Sequence, residues 1–530
     1  MRLPGQRSSS VLLIMLVSLD SLVLRPGHPM PRNPVEVLEP HDLIVVGLSG
    51  TIRVVLPPTI AADTIRWTLA DEERHFVATH SLSWVRSDEG DTVQLIVTAP
   101  RYGLFLLTLR HSADEYQHRS TVAFVPETGP DPRLGLHLYS LRWVPPIGVG
   151  SVRLWDTHTL WAEIEPSRGT FHWDRLDTLI NDGNTHGLRI LLTLGMTPRW
   201  ASSEPDEPSP YGPSFPGASA PPRSTADWKA LVQGVLRRYA GRLESIEFWN
   251  EPNYAFLIGR AHADATLLAA GTASARNSGV KVTTVGPALV GAFVPFFDSV
   301  AAFTGADHPE VFSMHSYASG PIGPEALLPQ LHQARAVLAQ HRWQSAIWIT
   351  EVGYWVAPRV DGWPATPNQI DSATPRAMAP NWRATWPYRP AAEDSIAALL
   401  VRQYAMYLGN GVEKVYWYAW TNGMFGLTDT AGAPRAAVVA YAALSARIAG
   451  LNEAIPVMEG PSVYAYRFSD GRHATIVAWS IAPGGTRWTP TPDDTYSTYD
   501  IWGNVTAPAV QPGTSILLNA TPLYLQTPTP

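Results

Sequence analysis

The 530-residue chain has no cysteine. Disulfides, thiol nucleophiles and thiolate metal sites are therefore excluded. Charged residues are scarce at 16%, the net charge is only −7, and no basic block occurs. That balance excludes nucleic acid, and any acidic polymer held mainly by charge, as the partner. Lysine is limited to Lys229, Lys281 and Lys414. No long uninterrupted apolar run is present. The longest, Val11 to Leu24, is broken by Asp20 and preceded by Arg2 and Arg7. It reads as a signal peptide within residues 1–30, with an uncleaved anchor as the alternative, although no small-residue cleavage site follows it. The expectation is an exported protein, secreted or periplasmic.

Aromatics are abundant, with 20 Trp and 19 Tyr. Such rings serve a large core or stack on sugar rings, since both partners pair an apolar face with a polar edge. The length calls for two to four domains. Residues 36–126 carry short apolar or alternating runs such as "TIRWTLA", "TVQLIVTAP" and "YGLFLLTLRH", separated by Pro, Gly and Asp. They predict a small immunoglobulin-like β-sandwich with no catalytic constellation of its own.

From about residue 131 to 450 the texture changes. Eight apolar strand candidates alternate with amphipathic stretches: "RLGLHLYS", "SVRLWD", "LRILLTLG", "SIEFWNE", "KVTTVGPA", "VFSMHSY", "AIWITEVG" and "EKVYWYAW". This is the pattern of a (β/α)8 barrel. The link from Tyr139 to Ser151 is too short and too rich in Pro and Gly for a helix, so the first crossover should be irregular. Residues 455–528 predict a small C-terminal β-domain.

In such a barrel the C-terminal ends of the strands line the active site. Strand four runs into Glu251 within "EFWNEPN", and strand seven runs into Glu351 within "WITEVGY". The two carboxylates face each other across the barrel mouth. Glycosidic cleavage needs such a pair, one to protonate the departing oxygen and one to act at the anomeric carbon. A Schiff-base chemistry would need a lysine at a strand's C-terminal end. Lys229 falls in a helix, while Lys281 and Lys414 begin strands. A metal-dependent hydrolase would want a His-x-His pair on strand one, where "HLY" stands instead. A non-catalytic, sugar-binding barrel would be expected to have lost a carboxylate.

"WNEPN" and "WITEVGY" together resemble the retaining (β/α)8 glycoside hydrolases of the large clan that includes families 5, 30, 39 and 51. The stretch "RLWDTHTLWAEIEPSRGTFHWDRLD" and the closing "YDIWGNV…TPLYL" are most similar to family 39-like enzymes. The resemblance implies Glu251 as acid/base and Glu351 as nucleophile. It implies Asn250 as the contact to the sugar 2-hydroxyl, Arg153 beside the nucleophile, His315 and Tyr317 against the carboxylates and the sugar, and Trp420 as a platform under the bound ring. His137, Trp155 and Asp156 point to the mouth by position alone. "TLGMTPRW" lacks the strand-three histidine common in family 5. The expected partner is an oligo- or polysaccharide cleaved at a β-linkage, with transglycosylation as the alternative on the same site. No metal or cofactor is called for, and a monomer is expected. Retention predicts carboxyl groups roughly 5–5.5 Å apart. Burial should raise the pKa of Glu251, and Arg153 should keep Glu351 ionised.

Two insertions fall on the catalytic face. One, "SSEPDEPSPYGPSFPGASAPPRS", follows strand three. The other runs from Tyr354 to Pro390 and carries Trp355, Trp363, Trp382, Trp386 and Tyr388. Both are candidate lid, wall or subsite.

Overall fold

The computed structural model describes residues 36–37, 40–55, 62–71, 75–85, 92–111, 117–257, 260–318, 323–359, 364–365, 390–491 and 494–528. The N-terminal apolar segment and the aromatics Trp363, Trp382, Trp386 and Tyr388 lie outside these residues. Among the described residues, no helix is long and apolar enough to cross a membrane.

Eight parallel strands close into a barrel. In chain order they are β1 (Asp131–His137), β2 (Val149–Leu154), β3 (Arg189–Leu194), β4 (Ser245–Phe248), β5 (Thr283–Val290), β6 (Val311–Tyr317), β7 (Ala346–Gly353) and β8 (Lys414–Trp417). The helices that follow β2 to β8 are α1 (Asp174–Thr185), α2 (Thr225–Arg238), α3 (Ala261–Arg276), α4 (Val294–Thr304), α5 (Leu328–Gln340), α6 (Glu393–Gly409) and α7 (Ala436–Ile448). No helix joins β1 to β2, as the Pro/Gly-rich link predicts.

The strands form where β-branched and aromatic residues cluster, and alternate side chains point into and out of the barrel. On β4, Phe248 faces outward against Trp228 of α2. It also leaves no room for a side chain at Gly271 of α3, where a Cβ would sit 2.6 Å from the Phe248 ring. The inward position of the same strand is Glu247, which has no exposed surface. Leu191, Val285, Val311, Trp348 and Tyr416 pack together as a separate apolar layer. Gly135 of β1 admits Tyr416, whose ring occupies the space of its missing Cβ.

The N-terminal region has two sheets. Five strands run in the order Ile44–Val46, Gln117–Val125, Gly103–His111, Ala62–Ala70, Phe76–Val85. Three more run Glu36–Val37, Ser49–Val55, Thr92–Thr98. Ile52, Val54, Leu95 and Val97 of the second sheet share one core with Leu107, Leu109, Val122 and Phe124 of the first, so the pair is a sandwich. The C-terminal region is a six-stranded antiparallel sheet from Glu453 to Gln526, with a separate two-stranded ribbon.

Both regions are built onto the barrel through α6 and α7. An outer barrel helix normally shows a polar face to water. Here nearly every residue of α6 and of α7 is buried. Tyr466, Phe468, Val477, Trp479 and Tyr524 of the C-terminal sheet belong to the same core as these helices, as do Ile44, Ala123 and Val125 of the sandwich.

One polar junction fastens the sandwich to the barrel. Glu393, the first residue of α6, accepts from Arg359 Nε at 2.7 Å, Arg359 Nη2 at 3.0 Å and Arg435 Nη1 at 2.9 Å. Arg359 also donates to Thr121 Oγ1 of the sandwich at 2.9 Å, Asp429 Oδ2 at 3.1 Å and the Pro434 carbonyl at 2.6 Å. Removing the carboxylate leaves two buried guanidinium groups underpaired, which typically costs about 3–5 kcal/mol. Glu393→Gln should lower the unfolding free energy, read from guanidinium chloride titration, by that amount at pH 7. Burial pushes the Glu393 carboxyl up, and the two arginines more than offset it, holding the group below its ordinary pKa. Its contribution is therefore present above the unfolded-state value and lost as pH falls through the folded one. The gap between wild type and variant should narrow on acidification; a gap independent of pH would contradict the ion-pair account.

Candidate active site

Regular pairing of β4 stops at Phe248, three residues before Glu251. The expectation that Glu251 ends the strand is corrected on this point. Trp249 and Glu251 instead adopt left-handed backbone conformations, with φ of 74° and 42°. Such conformations cost non-glycine residues on the order of 1–3 kcal/mol each and persist only where surroundings over-determine them. The surroundings are visible here. Trp249 N donates to the Leu194 carbonyl at 2.7 Å, and its indole donates to the Phe256 carbonyl at 2.9 Å. Glu251 N donates to the Ala288 carbonyl at 3.0 Å. Asn253 pairs with both backbone groups of Val290, donating at 2.7 Å and accepting at 3.1 Å. The turn swings Glu251 over the mouth. Glu351, in contrast, lies within β7, two residues before its end.

Arg153 of β2 ties the two sides together. Its Nε donates to Glu247 Oε2 at 2.6 Å, Nη1 to Glu351 Oε1 at 2.5 Å and Nη2 to Asn250 Oδ1 at 2.7 Å. Thr193 Oγ1 adds a 2.8 Å bond to the same Glu247 oxygen. Tyr317 Oη donates to Glu351 Oε2 at 2.5 Å. His315 Nδ1 lies 2.8 Å from Glu251 Oε1 and 3.4 Å from Glu351 Oε2, as one N–H shared by the two carboxyls would. A carboxylate oxygen from each glutamate and a ring nitrogen of His315 fall within 4.8 Å of one another. Among the described residues this is also the set arranged to hold a cation. Arg153 already occupies one Glu351 oxygen, so a metal would compete with a guanidinium there.

The protons follow from burial and charge. Glu251 is pushed well above the ordinary carboxylate range by burial, then by the charge of Glu351, with Arg153 opposing. Burial also raises Glu351, to about 7, although Arg153 and the Tyr317 hydroxyl pull it down. The expectation that Arg153 would keep Glu351 ionised thus holds only above neutral pH. The order of the pair is retained: Glu351 ionises first and Glu251 keeps the proton. Burial and the Arg153 charge depress His315 and His137, so both imidazoles are neutral. Glu251 Oε2 and His315 Nε2 are buried and find no hydrogen-bond partner among the described residues.

The remaining expected residues fall in different places. His137 reaches the Thr350 carbonyl with Nε2 at 3.1 Å, and its ring packs edge-on against Tyr418. Trp155 is buried edge-on against Tyr211 and Phe256, so it walls the site from behind. Asp156 (φ 59°) accepts from the Tyr211 hydroxyl, and from Tyr418 at 3.0 Å. Trp420 is half-buried and adjoins Trp143 in a side cavity. Sequence reading did not single out Glu247, Tyr211 or Tyr418. The signal for Glu247 was a carboxylate at an inward position of an apolar strand. Tyr211 comes from the insertion after β3, where nothing local marks it.

No protein-family model and no curated protein sequence matches the chain. Among solved structures, a family 39 glycoside hydrolase from the gut symbiont Bacteroides cellulosilyticus WH2 superposes with a TM-score of 0.67 at 18% identity, covering 93% of this chain and 100% of that one. A family 39 β-xylosidase from Caulobacter crescentus gives 0.49 at 16% identity, over 76% and 98% of the two chains. A family 30 endoxylanase from Clostridium papyrosolvens C71 gives 0.47 at 12%, over 76% and 98%. The first of these likenesses shows that the chain has the fold of a family 39 glycoside hydrolase, flanking β-regions included.

The Tyr317 bond gives a direct test of the electrostatics. A hydroxyl donating to a carboxylate favours the ionised form. In Tyr317→Phe the Glu351 carboxyl should titrate above its wild-type value near 7, followed by the infrared carbonyl band of the protonated acid. A downward movement would mean that the Tyr317 hydroxyl does not favour the ionised form.

Proposed function

We propose that the chain is a retaining glycoside hydrolase related to family 39, cleaving β-glycosidic bonds of an oligo- or polysaccharide. The observation that carries this reading is a pair of buried carboxyls whose nearest oxygens lie within 4.8 Å and face one ring nitrogen of His315. Inverting enzymes keep their carboxyls roughly 6.5–9.5 Å apart to admit a water, and retaining ones roughly 5–5.5 Å. The short separation supports direct attack.

Glu251, protonated, gives its proton to the glycosidic oxygen as the bond to the anomeric carbon breaks. Glu351, ionised, forms an ester with that carbon. The Glu251 carboxylate then takes a proton from the incoming water, whose oxygen displaces Glu351, and both groups return to their starting states. Arg153 and Tyr317 stabilise the Glu351 carboxylate before attack and when it departs. Asn250 has its Oδ1 held by Arg153, so its amide N–H groups are the end left for a sugar hydroxyl. An alcohol in place of water would give transglycosylation at the same site.

The pH profile tests the proton assignment. Below the pKa of Glu351 the nucleophile is protonated; above that of Glu251 the acid is lost. The acidic limb of kcat/KM should therefore lie near 7, in place of the roughly 4.3 of an ordinary glutamate. An acidic limb at 4 to 5 would contradict the buried, coupled pair.

Trapping tests the roles. Activated 2-fluoro-glycosides of xylose, glucose and galactose should inactivate the enzyme and label the peptide containing "WITEVGY". Glu251→Ala should lose about 10²–10⁴-fold on alkyl glycosides and far less on dinitrophenyl glycosides, which need little acid assistance. A label on another carboxylate, or equal losses on both substrates, would sink the assignment. A non-catalytic sugar-binding barrel would bind oligosaccharide and accept no label.

A further inference from the structure

Beside the carboxyl pair, on the β8–β1 quadrant of the mouth, lies a second cavity of about 540 Å³. That is within the range of small-ligand sites. Its lining includes Tyr139, Arg142 and Trp143 from the β1–β2 link, Trp420 after β8, and His41 from the N-terminal sandwich. His41 stacks flat on Trp143, with ring centroids 3.9 Å apart and planes within 7°. Trp143 in turn adjoins Trp420 at 5.9 Å with planes tilted by 52°. Both tryptophans are half-buried, and Arg142 stands exposed at the rim. The His41 segment is fixed from both sides. Asp42 accepts from Arg53 Nε at 2.7 Å, and Leu43 is buried in the sandwich core. The cavity adjoins the catalytic centre through Tyr139, which interacts with Tyr418 and feels the Glu351 charge, and the Tyr418 hydroxyl donates to Asp156.

We propose that this cavity is a sugar subsite on the glycone side of the scissile bond, built jointly by the barrel and the N-terminal sandwich. The direction rests on the acid/base reading above. Glu251 delivers its proton to the leaving group, so the leaving sugar departs on the β4 side. In a ring of eight strands β8 is diametrically opposite β4. A chain extending past the attacked sugar, away from the leaving group, therefore passes Trp420 and Trp143. Its occupant is a pyranose ring of a neutral oligosaccharide: the aromatic planes match an apolar ring face, and the Arg142 guanidinium offers donors to ring hydroxyls. The enzyme should then act on substrates with at least two sugars on the glycone side, in preference to clipping single terminal sugars.

Length dependence tests this. Wild type, Trp143→Ala, Trp143→Phe and His41→Ala are assayed on 4-nitrophenyl β-xyloside and β-xylobioside, and on 4-nitrophenyl β-glucoside and β-cellobioside. Wild type should prefer the disaccharide glycoside in at least one series. Trp143→Ala should cut the ratio of kcat/KM, disaccharide over monosaccharide, by about tenfold, the loss of one buried ring contact. Trp143→Phe should restore most of it, and His41→Ala should lower it several-fold. Calorimetric titration of Glu351→Gln protein with xylotetraose and cellotetraose, with and without Trp143→Ala, reads the cavity independently of turnover. Binding that needs Trp143 in a protein that hydrolyses nothing would leave the subsite standing and sink the catalytic reading. An unchanged ratio in folded variants overturns the subsite, as does equal loss on mono- and disaccharide. So does the absence of both turnover and tetraose binding in the wild-type background.

Discussion

A guanidinium with no exposed surface, shared among Glu247, Glu351 and Asn250, sets the electrostatics of the barrel mouth. An isolated charge at that depth would be very costly, and its partners make it tolerable. Glu247 and Thr193 fix one side of the fork, leaving Nη1 and Nη2 aimed at Glu351 and Asn250. The arrangement also breaks the symmetry of the two carboxyls. Both are raised by burial, but only Glu351 touches Arg153, while Glu251 faces a neutral His315 and the charge of Glu351. Two groups of the same chemistry thereby hold their protons at different pH. Asp156 adds a third, partly buried acid, raised by loss of solvent and held by two tyrosine hydroxyls.

The backbone carries a second constraint. Asp156, Met196, Trp249, Glu251 and Ala288 all have positive φ, and all lie within three residues of the C-terminal ends of β2 to β5. None is glycine, so each is strained to some degree. The closed barrel below absorbs this. Its helices and strands are continuous and its interior is filled, so a few kcal/mol of local strain can be held at the rim. The result is a rim whose side chains turn over the mouth while the walls stay rigid, the usual division between scaffold and site.

Much of this was legible in the residues. The runs "VFSMHSY" and "AIWITEVG" coincide with β6 and β7, because a strand buried on both faces is largely apolar. Glu251 and Glu351 stood out for the converse reason, as charges where apolar runs stop. Less legible was whatever depends on long-range meetings. The strands Phe76–Val85 and Gln117–Val125 carry His, Ser, Arg and Gln and do not read as strands; one pairs at the sheet's edge, and the other, between two sandwich strands, spends its Thr121 hydroxyl on the Pro434 carbonyl. The left-handed turn at Glu251 is imposed by Leu194 and Ala288, which no local pattern announces. Glu393, Arg359 and Arg435 are ordinary charged residues in sequence and become a junction only when α6, α7 and the sandwich meet.

That junction changes what the flanking β-regions are. An appended module joined by a linker would leave α6 and α7 with solvent faces and would share no core with the barrel. Here the two helices are covered from both sides. Tyr102 and Asn504 link the N- and C-terminal regions directly, through bonds of 2.9 and 3.0 Å. The loops after β7 and β8 are clamped by Arg359 to a strand of the sandwich. Those loops are the ones that flank Glu351 and carry Trp420. The sandwich therefore acts on the mouth twice, by holding the backbone that positions one carboxylate and by placing His41 on Trp143. A barrel stripped of it would expose the face of α7 and lose the wall beside β8, so the sandwich belongs to the architecture of the cleft and not to its periphery.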